Sequence, residues 1–276
     1  MHNLVPYTGD AFSIYQEAVD RKEDGEPKDR LLSAEATIQA YYKEFDQHFP
    51  DNTLRVIAPR RVRKPLRDDL FDMYSFDAAI VKKVKSWLKT HNPVTVYGVC
   101  QHCGIVPFDT MDHILPHQQF AEYAVHARNL IPCCTDCNRR KNEREVLNLY
   151  VDVLPDVEYL FMDVIPNGDT IDLSFRLDNS QGLVPKALFD KITCHYSMLA
   201  LFDRMKTIAS TRVSGFLTQI KRTYVRSGKQ EVINEITEDV EDLRRAYGYN
   251  YWEVAFQKGL IGSSVFWDYY EHGMLV

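Results

Sequence analysis

Two pairs of cysteines constrain the fold of this 276-residue chain more than any other feature of its sequence. Cys100 and Cys103 form the first pair, Cys134 and Cys137 form the second, and 30 residues lie between the pairs. Two C-x-x-C pairs in one chain are typical of a tetrahedral Zn²⁺ site with four thiolate ligands. We therefore predict a structural zinc that closes residues 100–141, which we call the finger, into a compact unit.

Other residues near these pairs offer alternative ligands. Cys133 could replace Cys134, but Cys134 reproduces the two-residue spacer of the first pair. His102 could replace a cysteine, although a residue inside the pair is expected to point outward. A redox role is less favoured, because thioredoxin-like chemistry uses a single C-x-x-C. The remaining cysteine, Cys194, lies in an apolar helical pattern and is predicted to be a small buried side chain.

Charge and composition limit the possible partners and the location. The net charge of -6 argues against a protein that coats nucleic acid by bulk electrostatics, so any nucleic-acid contact must come from local basic patches. The opening residues, MHNLVPYTGD, show no secretory signal, and no stretch approaches the roughly 18 apolar residues of a membrane helix. With clustered cysteines, this predicts reduced thiols, no membrane partner and a cytoplasmic location.

The first hundred residues show the periodicity of three amphipathic helices. Their apolar faces are Phe12, Tyr15, Ala18 and Val19, then Ile38, Tyr41, Tyr42, Phe45 and Phe49, and then Ile80, Val81, Val84, Trp87 and Leu88. A polar connection is predicted at 21–30, and the third helix should end before Pro93, because the residue before a proline avoids the helical region. Residues 94–99, VTVYGV, are predicted to form a strand that enters the first cysteine pair.

The last third of the chain predicts a hairpin followed by helices. Strict alternation at 171–177 and the turn signal Asn167-Gly168 indicate a β-hairpin near 158–177. A long helix should begin behind Pro185, since proline suits the first helical turn, and another is predicted near 233–243. The aromatic residues of the tail, from position 248 onward, are expected to be packed.

Polar residues inside the finger supply the groups of a reaction centre. Asp112 and His113 end an extended stretch, Asn129 follows later in the loop, and Asn138 comes directly after the last cysteine. A carboxylate, an imidazole and two amides are suited to hold a hard divalent cation and to activate a water molecule. Each residue alone has an ordinary alternative role, such as a helix cap or a turn.

The finger closely resembles the HNH endonuclease family, the ββα-metal nucleases. The family pattern is C-x-x-C, D-H-I-x-P, then N-L-x-x-x-C-x-x-C-[HN]-x-x-K. This sequence matches it in order and spacing with Cys100, Cys103, Asp112-His113-Ile114-Leu115-Pro116, Asn129-Leu130, Cys134, Cys137, Asn138 and Lys141. Asn138 stands where many members have histidine, and both residue types offer an atom to a metal.

The resemblance implies a role for each residue of the motif. His113 would be the general base that takes a proton from the attacking water, and Asp112 and Asn138 would ligate one catalytic Mg²⁺ or Mn²⁺. Asn129 would orient the His113 ring or brace the loop. Zinc would hold the finger shut and take no part in the chemistry.

The resemblance and the periodicities together predict the fold class. We expect an α+β chain that is mainly helical, with a central zinc-stapled ββα finger between N-terminal and C-terminal helical flanks. The predicted regions are 1–93, which includes a basic segment at 55–67, then 94–148 for the nuclease core, and 149–276 for the hairpin and helices.

Basic residues in two places are candidates for contacts with DNA. Segment 55–67 has six lysines and arginines and no acidic residue, which is informative in an acidic chain. For the residues after the last cysteine a solvated helix face is the alternative, whereas the basic segment could instead dock an acidic partner. The candidates are Arg60, Arg61, Arg63 and Lys64 in this segment, and Arg139, Arg140, Lys141 and Arg144 after the last cysteine.

Three hypotheses about function follow. The leading one is a metal-dependent endonuclease that cuts DNA, with double-stranded DNA as the expected substrate. The second is a zinc-stapled nucleic-acid-binding or scaffold protein without hydrolytic activity. The third, by family analogy, is the nuclease effector of a bacterial restriction or anti-phage defence system that acts with a partner ATPase.

Overall fold

A computed structural model describes residues 1–144 and 146–275, which fall into two compact units. The first unit contains residues 3–102 and 106–154, and therefore joins the N-terminal region to most of the finger. The second contains residues 1–2, 103–105 and the chain from Pro155 onward. The chain is mainly helical with two small antiparallel sheets, which confirms the predicted α+β class.

The first unit places helices around a two-stranded sheet. Its helices are α1 (Ala11–Asp20), α2 (Glu26–Ser33), α3 (Glu35–His48), α4 (Leu66–Phe71), α5 (Ala79–His91), α6 (Val94–Tyr97) and α7 (Thr135–Lys141), and its strands are β1 (Thr110–His113) and β2 (Leu130–Cys133). The three helices predicted from periodicity are α1, α3 and α5. The end of α5 at His91 confirms the predicted stop before Pro93.

An aromatic core connects α1 and α3 to the loop between β1 and β2. Tyr15, Tyr42 and Phe45 are buried, and the Phe45 ring lies 4.0 Å from the ring of His126 between centroids. Tyr123 packs on the same ring of Phe45 at 5.1 Å. Burial of such aromatic side chains dominates the energetics of a core, so these contacts hold the loop in place. The His126 side chain is itself fully buried in this core.

Two local predictions in the first unit are also wrong. The polar connection at 21–30 contains the start of α2, because Pro27 lies in its first turn, where proline costs no hydrogen bond. Residues 94–97 form the short helix α6 and no strand. Pro93 precedes this helix, and Gly98 closes it by donating its N–H to Val94 O at 2.8 Å. A Cβ at Gly98 would lie 2.8 Å from that same oxygen, so glycine is required there.

The second unit begins with the predicted hairpin. Strands β3 (Leu160–Asn167) and β4 (Thr170–Leu177) pair from Leu160↔Leu177 to Asn167↔Thr170. The two-residue turn is therefore Gly168-Asp169, and Gly168 adopts the left-handed φ of 59° that favours glycine. This confirms the hairpin and moves its turn by one residue from the Asn167-Gly168 signal.

Helices cover the rest of the second unit. They are α8 (Lys186–Met198), α9 (Leu201–Ser227), α10 (Lys229–Tyr247), α11 (Trp252–Ile261) and α12 (Ser264–Glu271). The long helix predicted behind Pro185 is divided at Ala200, which has a φ of 49°. Trp252, Phe256, Phe266 and Trp267 are buried, so the aromatic tail is packed as predicted.

Cys194 differs from its prediction, because it is exposed on α8. Helix α8 buries the face that includes Ile192 and Tyr196, and Cys194 points away from that face. None of the helices in the described part of the chain is long and apolar enough to cross a membrane.

Candidate functional site

The finger has the predicted strand–strand–helix order. Strands β1 and β2 are antiparallel, and the register pairs Asp112 with Ile131 and His113 with Leu130. Helix α7 begins directly after β2, with Cys134 as its N-cap residue. Thr135 N–H, in the first turn, donates to Asp109 Oδ1 at 2.6 Å, which ties the start of α7 to the residue before β1. The three elements thus place the cysteine pairs and the Asp112-His113 motif on one small scaffold.

The four cysteines of the two pairs lie together. The sulfur atoms of Cys100, Cys103, Cys134 and Cys137 are within 4.8 Å of one another, and all four side chains are buried. Four buried, converging thiols fit tetrahedral Zn²⁺, which prefers sulfur ligands. Cys133 is not one of these four: its thiol donates to the Cys134 carbonyl at 3.2 Å and borders the cluster at Cys100 and Cys137. The choice of Cys134 over Cys133 is therefore confirmed.

Asp112 is the centre of a buried polar group. Its side chain is 2% exposed, Oδ2 accepts from His102 Nε2 at 2.8 Å, and Oδ1 accepts from Lys141 Nζ at 3.1 Å. Burial alone would raise the pKa of this carboxyl group, but the His102 hydrogen bond and the Lys141 charge outweigh it and lower the pKa. Asp112 is therefore ionised, and its charge is balanced within the protein.

His102 and Lys141 were both expected at the surface, and both are buried here. His102 points inward to Asp112, contrary to the expectation that it would point outward. Lys141 also donates to the backbone carbonyl of His113 at 2.8 Å. Lys141 is 2% exposed, so the predicted contact of Lys141 with DNA would require its ammonium group to leave these two partners.

His113 faces a different set of neighbours from Asp112, as alternation along a strand requires. Its Nε2 lies 2.9 Å from the backbone carbonyl of Ala124. Because a carbonyl can only accept, Nε2 carries the proton and Nδ1 carries the lone pair. The rings of Tyr74 and His117 lie 4.5 Å and 4.7 Å from the His113 ring, and the side chain is 5% exposed.

The environment of His113 fixes its charge. Burial, with a smaller contribution from the nearby His117, lowers the pKa of His113 to about 4. The imidazole is therefore neutral at pH 7, with an unprotonated nitrogen. A neutral, oriented imidazole beside an ionised carboxylate is the arrangement that general base catalysis needs.

Asn129 braces the loop through hydrogen bonds to its backbone. Its Oδ1 accepts from Leu115 N at 2.7 Å, and its Nδ2 donates to the carbonyls of Leu115 and Tyr123 at 3.1 and 3.2 Å. Tyr123 immediately precedes Ala124, whose carbonyl holds His113. Of the two roles expected for Asn129, these contacts favour the brace, which positions His113 through the backbone of the loop.

Asn138 lies on α7, one residue after the last cysteine, and is half-buried. Its backbone N–H donates to Cys134 O at 3.0 Å, as helix geometry requires. Within residues 1–144 and 146–275, no hydrogen bond links the Asn138 side chain to Asp112 or His113. The structure thus keeps Asn138 on the finger without joining it to the Asp112 group.

A catalytic Mg²⁺ or Mn²⁺ does not fit the present arrangement of its expected ligands. Both oxygens of Asp112 are engaged, and the Lys141 ammonium group at 3.1 Å would repel a divalent cation at the same carboxylate. Carboxylate and amide oxygens remain suitable donors by chemistry. Binding of such a cation by Asp112 therefore requires Lys141 Nζ to move away.

The basic candidates differ in how strongly they are engaged. Arg60 is paired with Glu44, and Lys64 lies 3.3 Å from Asp68. Arg139 and Arg140 share Asp136, each at 3.0 Å, and Arg144 donates to the Arg140 carbonyl. Arg61 and Arg63 are exposed and have no ion pair with any residue of 1–144 or 146–275.

Sequence reasoning missed part of the site. It did not identify His102, Tyr74 or His117 as neighbours of Asp112 and His113, and it assigned Lys141 to DNA. A usable signal existed for Lys141 alone, because it follows Asn138 by three residues and so lies on the same side of α7. Tyr74 is distant in sequence and carries no motif.

Comparison with known proteins identifies one family in this region. Residues 100–144 match the family model of the HNH endonuclease, which covers the cysteine pairs, Asp112-His113, Asn129 and Asn138. Neither the curated proteins nor the solved structures contained a match to the chain.

Proposed function

We propose that the HNH endonuclease domain at residues 100–144 makes this chain a metal-dependent endonuclease that hydrolyses the phosphodiester bonds of DNA. The observation that carries the proposal is the state of His113. Its Nε2 proton is held by the Ala124 carbonyl, which leaves Nδ1 as the nitrogen with the lone pair, and the lowered pKa of about 4 keeps Nδ1 unprotonated at neutral pH.

In the proposed reaction His113 acts as the general base. A water molecule gives a proton to Nδ1 while its oxygen bonds to phosphorus, and the bond from phosphorus to the leaving 3′-oxygen breaks. The leaving oxygen takes a proton from solvent. The Ala124 carbonyl stabilises the imidazolium that forms, because it accepts a hydrogen bond from Nε2–H. Such proton transfer contributes about 10²–10⁴-fold to a rate.

Two kinds of metal ion belong to the proposal. Zn²⁺ would be held by the four cysteines and would stabilise the finger. Mg²⁺ or Mn²⁺ is the proposed catalytic cofactor, on the strength of the family resemblance, with Asp112 and Asn138 as its proposed ligands. This ion would stabilise charge on the phosphate when bound. Lys141 must leave Asp112 Oδ1 for that to happen.

The proposed DNA contacts follow from exposed charge, and the proposed biological role follows from family analogy. Arg61 and Arg63 carry exposed charges without an ion pair among the described residues, so they are the best proposed contacts to the DNA backbone. Arg60, Lys64, Arg139, Arg140 and Arg144 remain proposed contacts as well. We also propose a cytoplasmic effector of a restriction or anti-phage system that acts with a partner ATPase, on family analogy alone.

Cleavage of supercoiled plasmid in Mg²⁺ or Mn²⁺ tests the proposal. His113→Ala should lower the cleavage rate by about 10²–10⁴-fold, since it removes the proton acceptor. The matched control is His272→Ala, which removes an exposed histidine near the end of α12 and should leave the rate unchanged. Circular dichroism and zinc content should match the wild type for both variants. Full activity of a folded His113→Ala protein would overturn the assignment.

One observation favours the alternative of a zinc-stapled nucleic-acid-binding or scaffold protein without hydrolytic activity. The Lys141–Asp112 ion pair neutralises the carboxylate that a catalytic metal would need. On this alternative, the wild type and His113→Ala would bind DNA equally and neither would cut it under any of the metal ions.

A further inference from the structure

A cavity of about 280 Å³ lies beside Asp112 in the first unit. Its wall is mostly apolar, and the side chains that form it include Leu54, Ile57, Leu115, Phe120, Ile131 and Leu147. Asp112 and Lys141 also line it, whereas His113 is not part of its lining. An apolar cavity with a few polar groups is the common form of a small-molecule site, and this volume suits a ligand of about one nucleotide.

Asn148 supplies a polar group in this wall. Its side chain is 6% exposed, and Oδ1 accepts from Tyr150 N at 3.2 Å, which fixes the orientation of the amide. Its Nδ2 is buried and has no hydrogen-bond partner among residues 1–144 and 146–275. Buried polar groups are nearly always satisfied, so this donor is open to an acceptor on a ligand in the cavity.

The charges around the cavity favour an anionic ligand. Arg55 and Arg144 line it and are exposed, which places both guanidinium groups at its mouth. Glu143 also lines it, but its carboxylate accepts from Gln119 Nε2 at 2.9 Å. Lys141 and Asp112 balance each other. The mouth therefore carries two positive charges against one negative charge, and arginine is well suited to phosphate.

We propose that this cavity is a nucleotide-binding site. The base would lie against the apolar wall, Asn148 Nδ2 would donate to an acceptor on its edge, and the phosphate would lie near Arg55 and Arg144. The nucleotide has two possible sources, an unstacked nucleotide of the bound DNA strand or a free nucleotide. Only the first source rests on the proposed nuclease function, and it would give the chain a means of reading one base.

Binding to the zinc-loaded full chain, without Mg²⁺ or Mn²⁺, tests this site separately from cleavage. The first probes are the four 2′-deoxynucleoside 5′-monophosphates, measured by calorimetric titration. Val146→Phe fills the cavity from a half-buried wall position, and Asn148→Asp keeps the oxygen that accepts from Tyr150 but removes the donor. Each should weaken binding of at least one nucleotide by about tenfold or more, which corresponds to about 1.4 kcal/mol.

Matched controls separate the cavity from general effects. Val225→Phe, at an exposed position of α9, is the control for Val146→Phe. Arg212→Ala, which removes an exposed arginine of α9, is the control for Arg55→Ala at the mouth of the cavity. Neither control should change binding. Equal binding by the wild type and Val146→Phe would overturn the proposal, as would the absence of binding of all four nucleotides.

A second set of probes identifies the source. Single-stranded 12-nucleotide oligomers are compared with oligomers of the same length that contain only abasic sites. If Val146→Phe lowers the affinity for the natural oligomer to that for the abasic one, the site takes a base of the strand. If Val146→Phe lowers the affinity for the mononucleotides but not for the natural oligomer, the site takes a free nucleotide. Both results support the cavity as a nucleotide site.

The two proposals can fail independently. Nucleotide binding that depends on Val146 and Asn148, in a chain that never cuts DNA, would leave the cavity inference standing and remove the nuclease. If cleavage depends on His113 and nucleotide binding is unaffected by Val146→Phe, the nuclease proposal is supported and the cavity proposal is contradicted.

Discussion

The four-cysteine cluster and the Asp112 group are neighbouring parts of one finger, and they are built in opposite ways. The cysteine cluster brings four like ligands together, and its sulfur atoms converge within 4.8 Å. The Asp112 group instead pairs a carboxylate with Lys141 and His102, so its charge is compensated inside the protein. The cluster has the ligand set of a zinc site, whereas the Asp112 group pairs its charges within the protein. Stability should therefore depend on metal at the first and on an ion pair at the second.

The largest effect should come from the cysteine cluster. Cys100→Ser removes one of four zinc ligands, and structural zinc contributes about 10–16 kcal/mol of apparent binding energy in small zinc domains. We expect loss of stoichiometric zinc by elemental analysis and fast amide hydrogen exchange throughout the finger. Cys194→Ser, at an exposed cysteine outside the cluster, is the control and should retain both zinc and protection. A Cys100→Ser protein with full zinc content would contradict the four-cysteine site.

The next effect tests the ion pair. Lys141→Met keeps the buried stem but leaves Asp112 as a buried charge with only His102, so it should lower the free energy of unfolding by about 3–5 kcal/mol. Urea denaturation measures this loss. Adding Asp112→Asn to the same chain should recover much of it, because the uncompensated charge is gone.

The Lys141→Met variant also sharpens the comparison between the two metal sites. With the ammonium group removed, Mg²⁺ can reach Asp112. Because Mg²⁺ would bind the folded state and not the unfolded one, the free energy of unfolding of the variant should rise with Mg²⁺ concentration. The wild type should show a smaller rise. If Lys141→Met is as stable as the wild type in the absence of Mg²⁺, the ion pair does not support the fold and the comparison fails.

A smaller effect is expected at the brace that holds His113. Asn129→Ala removes three hydrogen bonds to the loop and leaves buried backbone groups unpaired, which should cost about 2–3 kcal/mol. The cleavage rate should fall because Ala124 moves relative to His113, while zinc content should not change. Asn234→Ala, on an exposed position of α10, is the matched control. An Asn129→Ala protein with lower stability and full activity would show that the brace does not position His113.

The smallest effect should come from the exposed arginine side chains, which are neither buried nor part of a metal site. Arg63→Ala should weaken DNA binding a few-fold and lower the salt dependence of the binding constant by a slope of about 0.9, with unchanged stability. Arg60→Ala should change the binding less, because Arg60 is already paired with Glu44. Fluorescence anisotropy at several salt concentrations measures both slopes. A larger loss with Arg60→Ala would reverse this order.

The elements that local pattern predicts correctly are those whose partners are close in sequence. The β3–β4 hairpin follows from strict alternation around a two-residue turn, and α1, α3 and α5 follow from their apolar faces. The strand predicted at residues 94–99 is wrong for a related reason. Its β-branched residues favour a strand, but Val94 is 79% exposed and the segment pairs with no strand among residues 1–144 and 146–275, so a short helix forms after Pro93.

For the candidate site, the sequence alone identified the four cysteines that cluster and the motif residues Asp112, His113, Asn129 and Asn138. Spacing suffices for the cysteines, because two C-x-x-C pairs can converge on one ion in few other ways. Only the tertiary structure decided that Lys141 and His102 bind Asp112, and that Ala124 O selects the His113 tautomer. These partners are 29, 10 and 11 positions apart in the chain and meet only when the finger closes. A sequence pattern specifies which face a side chain occupies, whereas the charge and proton at that side chain depend on whatever the fold brings to that face.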